Sequence, residues 1–198
     1  MDLVIDIQCV VNANNQHIPK EVAVLSLADD YMGHWIVAPP YSAKKLSNAI
    51  KTTNKWLSRN KHGLEWEDGY ITKPSLVVHL REITKKFEKI YVRGGVKKKI
   101  LEDVVFNDVI NVEDCDGEEE EKLPSFAELT WSNTRCILHA TRINNTISYS
   151  CALNRATRLK NWLKSCRQKS FEDLTDEQFR NLESALVDTT TYGGCVPC

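Results

Sequence analysis

The sequence predicts an α/β domain: a five-stranded mixed sheet, three antiparallel strands followed by two parallel ones, with flanking helices. Three observations carry this. Residues 2–11, 20–28 and 33–38 are apolar or alternating runs of strand length, separated only by turn-sized polar segments, which makes an antiparallel meander. After residue 42 the pattern shifts to helical spacing. Two short apolar runs, 89–93 and 109–112, then alternate with helical segments, the order that produces parallel strands.

Each element has a local reason. DLVIDIQCVV at 2–11 alternates and then runs apolar, as a strand buried on most of both faces would, and NANNQ at 12–16 is turn chemistry. Pro39-Pro40 closes the third strand. Ser42 is placed to cap a helix over 43–59, with Leu46, Ile50, Trp56 and Leu57 on one stripe. A loop around Trp66 precedes a second helix over 75–87, and Gly94-Gly95 opens a short helix over 96–103. Further helices are expected over 124–130, about 149–167 and 175–187, the last with Thr175 and Gln178 in capping-box positions. Residues 1–188 read as a single domain and 189–198 as a mobile tail.

Composition narrows the function classes. At 198 residues, 42% hydrophobic and 27% charged, the chain is long enough for a proper core, and its net charge of -1 gives no global pull toward nucleic acid or membrane. No apolar run approaches a membrane span, and the N-terminus lacks a signal peptide's basic flank, so an intracellular protein, cytoplasmic or nuclear, is expected. Seven cysteines without a secretory signal favour reduced thiols or metal ligands over disulfides. No P-loop, dinucleotide fingerprint or nucleophile elbow is present.

The densest chemistry lies in CILHATRINNTISYSCALNRA, residues 136–156. Cys136 and His139, two residues apart, can turn back onto one soft divalent ion, and Cys151 supplies a third ligand. Cys115 is the expected fourth, with Cys195-x2-Cys198 and then His79 behind it. A closed four-ligand zinc site of this kind is structural, because no position is left for water. The competing reading makes the cysteines small buried hydrophobes and His139 a satisfied core residue.

The element order and three local motifs resemble the ribonuclease-H-like fold, in particular its DEDD exonuclease branch. That resemblance implies an Asp-x-Glu pair on the first strand, a further Asp near the helix after the fourth strand, and a last Asp in the final helix. Here VIDIQ offers Asp6 and Gln8, RGGVKKKIL puts Lys97, Lys98 and Lys99 in the second region, and CALNRA has Arg155 at the last position. Two-metal hydrolysis needs several carboxylates to hold cations about 3.5–4 Å apart. With Asp6 alone remaining, no catalytic residues are expected; if the chain were active, Asp6 would carry it. A degenerate domain with a metal site in place of the carboxylates is similar to the zinc-containing domain of the Maelstrom family. It is similar also to uncharacterised arthropod proteins sharing the Cys-x2-His and Cys-Ala-Leu spacing. The resemblance implies a place in RNA silencing or mobile-element biology.

Partner expectations follow from charge. Arg93, Lys97, Lys98 and Lys99, with Arg155 and Arg158 on the last long helix, are placed to follow the phosphates of a nucleic acid, single-stranded RNA by class. A solvated helix face is the plainer alternative. Glu113–Glu121, with seven carboxylates in nine residues, and the Trp66 loop are the candidate protein-partner surfaces, although such an acidic run is more often disordered or a shield for the basic edge, and a tryptophan under a long loop more often plugs the core. Three readings result: an inactive zinc-stapled nucleic-acid binder or adaptor, an active nuclease around Asp6, and a protein-interaction module.

Overall fold

The computed structural model describes residues 1–114, 124–125, 128–129, 132–142 and 149–172. Strands β1 (Asp2–Val11), β2 (His17–Ser26), β3 (Met32–Ile36), β4 (Lys89–Val92) and β5 (Asp108–Asn111) form one sheet in the order β3-β2-β1-β4-β5. β1 pairs antiparallel with β2, β2 antiparallel with β3, and β4 runs parallel to both β1 and β5. This is the ribonuclease-H-like topology. Helices α1 (Asn48–Leu57), α2 (Lys73–Thr84), α3 (Gly95–Glu102), α4 (Ile137–Thr141) and α5 (Ala152–Glu172) complete it. The chain forms two compact units, Met1–Trp162 and Leu163–Cys198; in the second, the described part is the end of α5. Among the described residues no helix is long and apolar enough to cross a membrane.

The sheet has two chemically different faces because strand side chains alternate. Leu3, Ile5, Ile7, Val22 and Val24 point to one face and pack with Leu76 and Leu80 of α2 and Leu101 of α3 in the main core. Asp6, Gln8 and Glu21 point to the other, where α5 begins. α1 is fastened to the end of β1 by a reciprocal pair: Val11 N–H donates to Asn54 Oδ1 and Asn54 Nδ2 donates to Val11 O, both at 2.8 Å.

Several boundaries differ from the sequence expectation, each for a local reason. The helix expected over 43–59 is split into a 3-10 turn, Ala43–Lys45, capped by Ser42, and α1, capped by Ser47, because each serine oxygen accepts a backbone N–H of its own turn. A π-turn, Ser58–His62, follows and ends at Gly63 with φ 66°. Thr72 starts α2 earlier than expected, with Pro74 in the first turn. Within 124–130 the described residues are irregular, and the short α4 lies instead at 137–141. The expected helix at 175–187, the tail and most of the acidic run lie outside the described residues.

A β-bulge decides what the loop after α1 can do. Gln8 pairs with Glu21 and Cys9 with Pro19, so Lys20 is the extra residue, beside a proline that has no N–H to give the ladder. The bulge turns the Lys20 side chain into the interior, 1% exposed, where its ammonium donates to Val37 O at 3.1 Å, Trp66 O at 2.6 Å and Asp68 O. Trp66 is buried with Val10 and Leu46, its Nε1 donating to Tyr41 O at 2.9 Å. The loop is therefore a strap drawn onto the sheet, and its tryptophan plugs the core. Burial pushes the Lys20 pKa down to about 8, which leaves it charged at neutral pH. Lys20→Met should leave the carbonyls of Val37, Trp66 and Asp68 unpaired and cost about 2–4 kcal/mol in urea unfolding at neutral pH; an unchanged midpoint would show the strap to be held by other contacts.

Candidate metal centre

The four side chains that meet on the polar face come from three separate places in the chain. Cys136 is the N-cap of α4, and its Sγ accepts the His139 N–H at 3.4 Å. That capping geometry is what a Cys-x2-His spacing gives: the residue before the helix and the third residue within it face each other. His139 Nδ1 lies 2.9 Å from Cys136 Sγ and 3.4 Å from Glu21 Oε1. Cys151, immediately before α5, places its Sγ 3.4 Å from Glu21 Oε1 and accepts the Cys136 N–H at 3.4 Å. One ligand atom from each of Glu21, Cys136, His139 and Cys151 lies within 4.8 Å of every other, and all four residues are buried.

The donor set and spacing suit a tetrahedral zinc. Zn–S bonds of about 2.3 Å and Zn–N or Zn–O bonds of about 2.0 Å put neighbouring donors about 3.3–3.8 Å apart around a tetrahedron. The surrounding contacts orient the donors as a metal would require. His139 Nε2, the nitrogen turned away from the cluster, is 2.5 Å from His62 O, which fixes the ring with Nδ1 inward. Glu21 Oε2 accepts the Ala152 N–H at the start of α5 at 2.8 Å, and His34 Nε2 is 2.9 Å from Oε1.

Electrostatics within the cage point the same way. Burial alone would raise the Glu21 pKa, but hydrogen bonds from His139 and His34 hold it at about 2. Burial alone would lower His139, yet its bonds to Cys151 and Glu21 lift it to about 10. Hydrogen bonding to Cys136 favours the Cys151 thiolate, at about 5, while the same contact and burial push the Cys136 thiol up. The metal-free cage thus keeps two protons, on His139 and Cys136. A zinc ion would displace both and restore the same net charge with two positive charges of its own.

Of the four expected ligands, Cys136, His139 and Cys151 are brought together and Cys115 lies outside the described residues, as do Cys195 and Cys198. His79 is elsewhere, on α2, stacked 6.3 Å from Trp35. Glu21 was missed. The signal for it is slight: Glu21 stands second in KEVAVLSLA, and only the earlier start of β2 at His17 puts the carboxylate inside the strand, where it is buried and needs a partner.

The second polar cluster surrounds Asp6, which is 1% exposed. Lys97 Nζ binds Oδ1 directly, Arg155 Nε lies 3.7 Å from Oδ2, and Gln8 Nε2 donates to Oδ2 at 3.4 Å. The remaining basic residues have their own contacts. Arg93 bonds Glu113 at 3.2 Å and Pro124 O at 2.7 Å, Lys98 lies 3.7 Å from Asp114, and buried Arg158 donates to Leu129 O at 2.8 Å. Lys99 borders a cavity between α2, α3 and the β1–β2 turn. In the strap, Glu65 accepts from Ser58, Glu67 from Ala43 N–H, and Asp68 holds Arg142 through two hydrogen bonds, at 2.5 and 2.8 Å.

Purified chain should carry about one zinc, and loading the apo form at neutral pH should release about two protons per zinc, measured by calorimetry in buffers of different ionisation enthalpy. Glu21→Ala should lose the metal while Cys115→Ser keeps it; the reverse pattern would make Cys115 the fourth ligand. No protein-family model matches the chain and no curated protein matches its sequence. What can be said of it is that it has the ribonuclease-H-like α/β fold and a buried Cys/His/Glu group able to hold a metal ion such as zinc.

Proposed function

We propose that the chain works as a catalytically inactive, nuclease-like domain, stapled by zinc, that binds single-stranded nucleic acid, RNA by class. The observation that carries the inactive half is the state of Asp6. Two-metal phosphodiester hydrolysis needs a cluster of carboxylates open to divalent cations. Here the one carboxylate at that position is closed off by Lys97, Arg155 and Gln8. A magnesium ion would have to displace a lysine already bonded to Asp6 and then sit beside an arginine. Like charges at such distances in a buried site oppose binding by several kcal/mol.

Zinc, in this reading, is structural. Cys136 and His139 on α4, Cys151 before α5 and Glu21 on β2 join segments that lie far apart in sequence, and four protein donors leave no open position. The nucleic-acid half is supported by Lys98 and Lys99, which continue α3 beyond Lys97, and by Arg93 at the end of β4. These are the side chains from which a phosphate track past the closed site would be built. Such a domain fits an adaptor role in RNA silencing or mobile-element control, where a nuclease fold recognises its strand without cutting it.

Lys97→Met should leave Asp6 with one cation fewer and cost about 3 kcal/mol of stability. Single-stranded RNA incubated with the protein and magnesium or manganese should remain intact. Cleavage that vanishes in Asp6→Ala would instead make the domain an active nuclease. RNA binding should weaken steeply with salt and fall about tenfold in Lys98→Glu/Lys99→Glu; binding indifferent to both would remove the basic track.

A further inference from the structure

Strand β3 is an edge of the sheet, and its outer side is incompletely covered. Its register with β2 turns the backbone groups of Gly33 and Trp35 inward, so those of Met32, His34 and Ile36 face away from the sheet. On that side Ile36 O accepts from Tyr70 and Ile71 N–H at 3.1 and 3.3 Å, and His34 O accepts from the Tyr70 hydroxyl at 2.9 Å. The outward N–H of Ile36 faces the Tyr70 hydroxyl, while those of Met32 and His34 meet no backbone partner among the described residues.

The side chains of those three residues share one face, where they line a cavity of about 660 Å³ together with Tyr70, Ile137 and Leu153. Three large apolar side chains at its mouth stand in water: Met32 is 57% exposed, Tyr70 69% and Ile137 84%. Natural edge strands are normally blunted by lysine, proline or a covering segment. MGHWI has neither residue; the backbone of Tyr70 and Ile71 covers the Ile36 end, the Tyr70 hydroxyl reaches His34 O, and the Met32 end has no cover among the described residues.

We propose that β3 is a docking edge for an extended peptide segment of a partner protein, carrying apolar side chains at alternate positions. The open N–H groups decide the occupant. A row of backbone donors at strand spacing is matched by the carbonyls of another strand, and the alternation that places those donors outward also places every second partner side chain over the cavity. Tyr70 holds the place of that strand until it arrives. The proposal does not depend on nucleic acid; one wall of the cavity is α4, which the Cys/His/Glu cage positions.

The test uses the full chain and a library of octapeptides with Leu, Ile, Val or Phe at alternate positions and Ser, Thr or Lys between. The tightest members should slow hydrogen exchange of the Met32 and His34 amides at least tenfold. Ile137→Glu, at an exposed position that folding does not depend on, should weaken binding at least tenfold. Tyr70→Phe should bind up to about fivefold tighter, because the hydroxyl no longer competes for the edge. No binding at millimolar peptide, or binding that leaves those amides exchanging as before, would overturn the proposal. So would dimerisation of the chain alone with the same amides protected, which would make a second copy the occupant.

Discussion

A carboxylate with no access to water sits in the middle of β2, and much of the polar half of the molecule is arranged around it. Glu21 is fully buried, and an ionised carboxylate taken out of water costs several kcal/mol unless cations or donors replace its hydration. Those replacements come from every side: His34 from the neighbouring strand, His139 from α4, the first N–H of α5, and the sulfur of Cys151. Each fixes an element that otherwise has few constraints. α4 has five residues and could not hold its place by its own helical hydrogen bonds. Its position is set by His139 at one end of the cage and by Arg142, which grips Gly63 O and Asp68, at the other.

Asp6 poses the same problem on the same face and receives a different answer. Gln8 is the register partner of Glu21 and donates to Asp6, so the two carboxylates are near neighbours on the sheet. Left without compensation, two buried negative charges at this range would repel and one would take up a proton. Asp6 is faced by the cations Lys97 and Arg155, whereas Glu21 is hydrogen-bonded by His34, His139 and the first N–H of α5 in a group that could hold a metal ion. The division separates permanence from exchange. The cations at Asp6 are side chains of the chain itself, while the group around Glu21 could hold a metal ion in place of protons.

The fold was largely legible because its strands are apolar runs of the right length with turn chemistry between them, and because helical spacing begins where the meander ends. The helix boundaries were less so. Ser42 and Ser47 are both good caps, and sequence alone cannot say that both are used in succession. For the cage, the short-range half was visible, since the spacing of Cys136 and His139 fixes their geometry within one turn. Glu21 was hidden by distance: it lies 115 residues before Cys136, and only the pairing of β2 with β1 brings it under α5. The basic residues divide in a way a charge run does not show: Lys97, Arg155 and Arg158 each meet an acceptor inside the fold, two of them on Asp6.

The strap explains how these parts become one cooperative unit. His62 O holds His139, Gly63 O and the Asp68 carboxylate hold Arg142, and Trp66 O and Asp68 O hold Lys20, all within seven consecutive residues. Lys20 and Glu21 are adjacent on β2 at the bulge, and the first grips the strap while the second organises the cage against which the strap also packs. The bulge makes this arrangement possible, because an extra residue is what lets Lys20 turn toward the strap without pulling Glu21 off the polar face. Loosening the cage would free α4, and α4 carries Arg142; the strap would then lose its grip at Asp68 and Gly63. Contacts that share partners in this way are not additive. A metal held in the cage would therefore stabilise the strap and the buried Trp66 as well as the four residues around it.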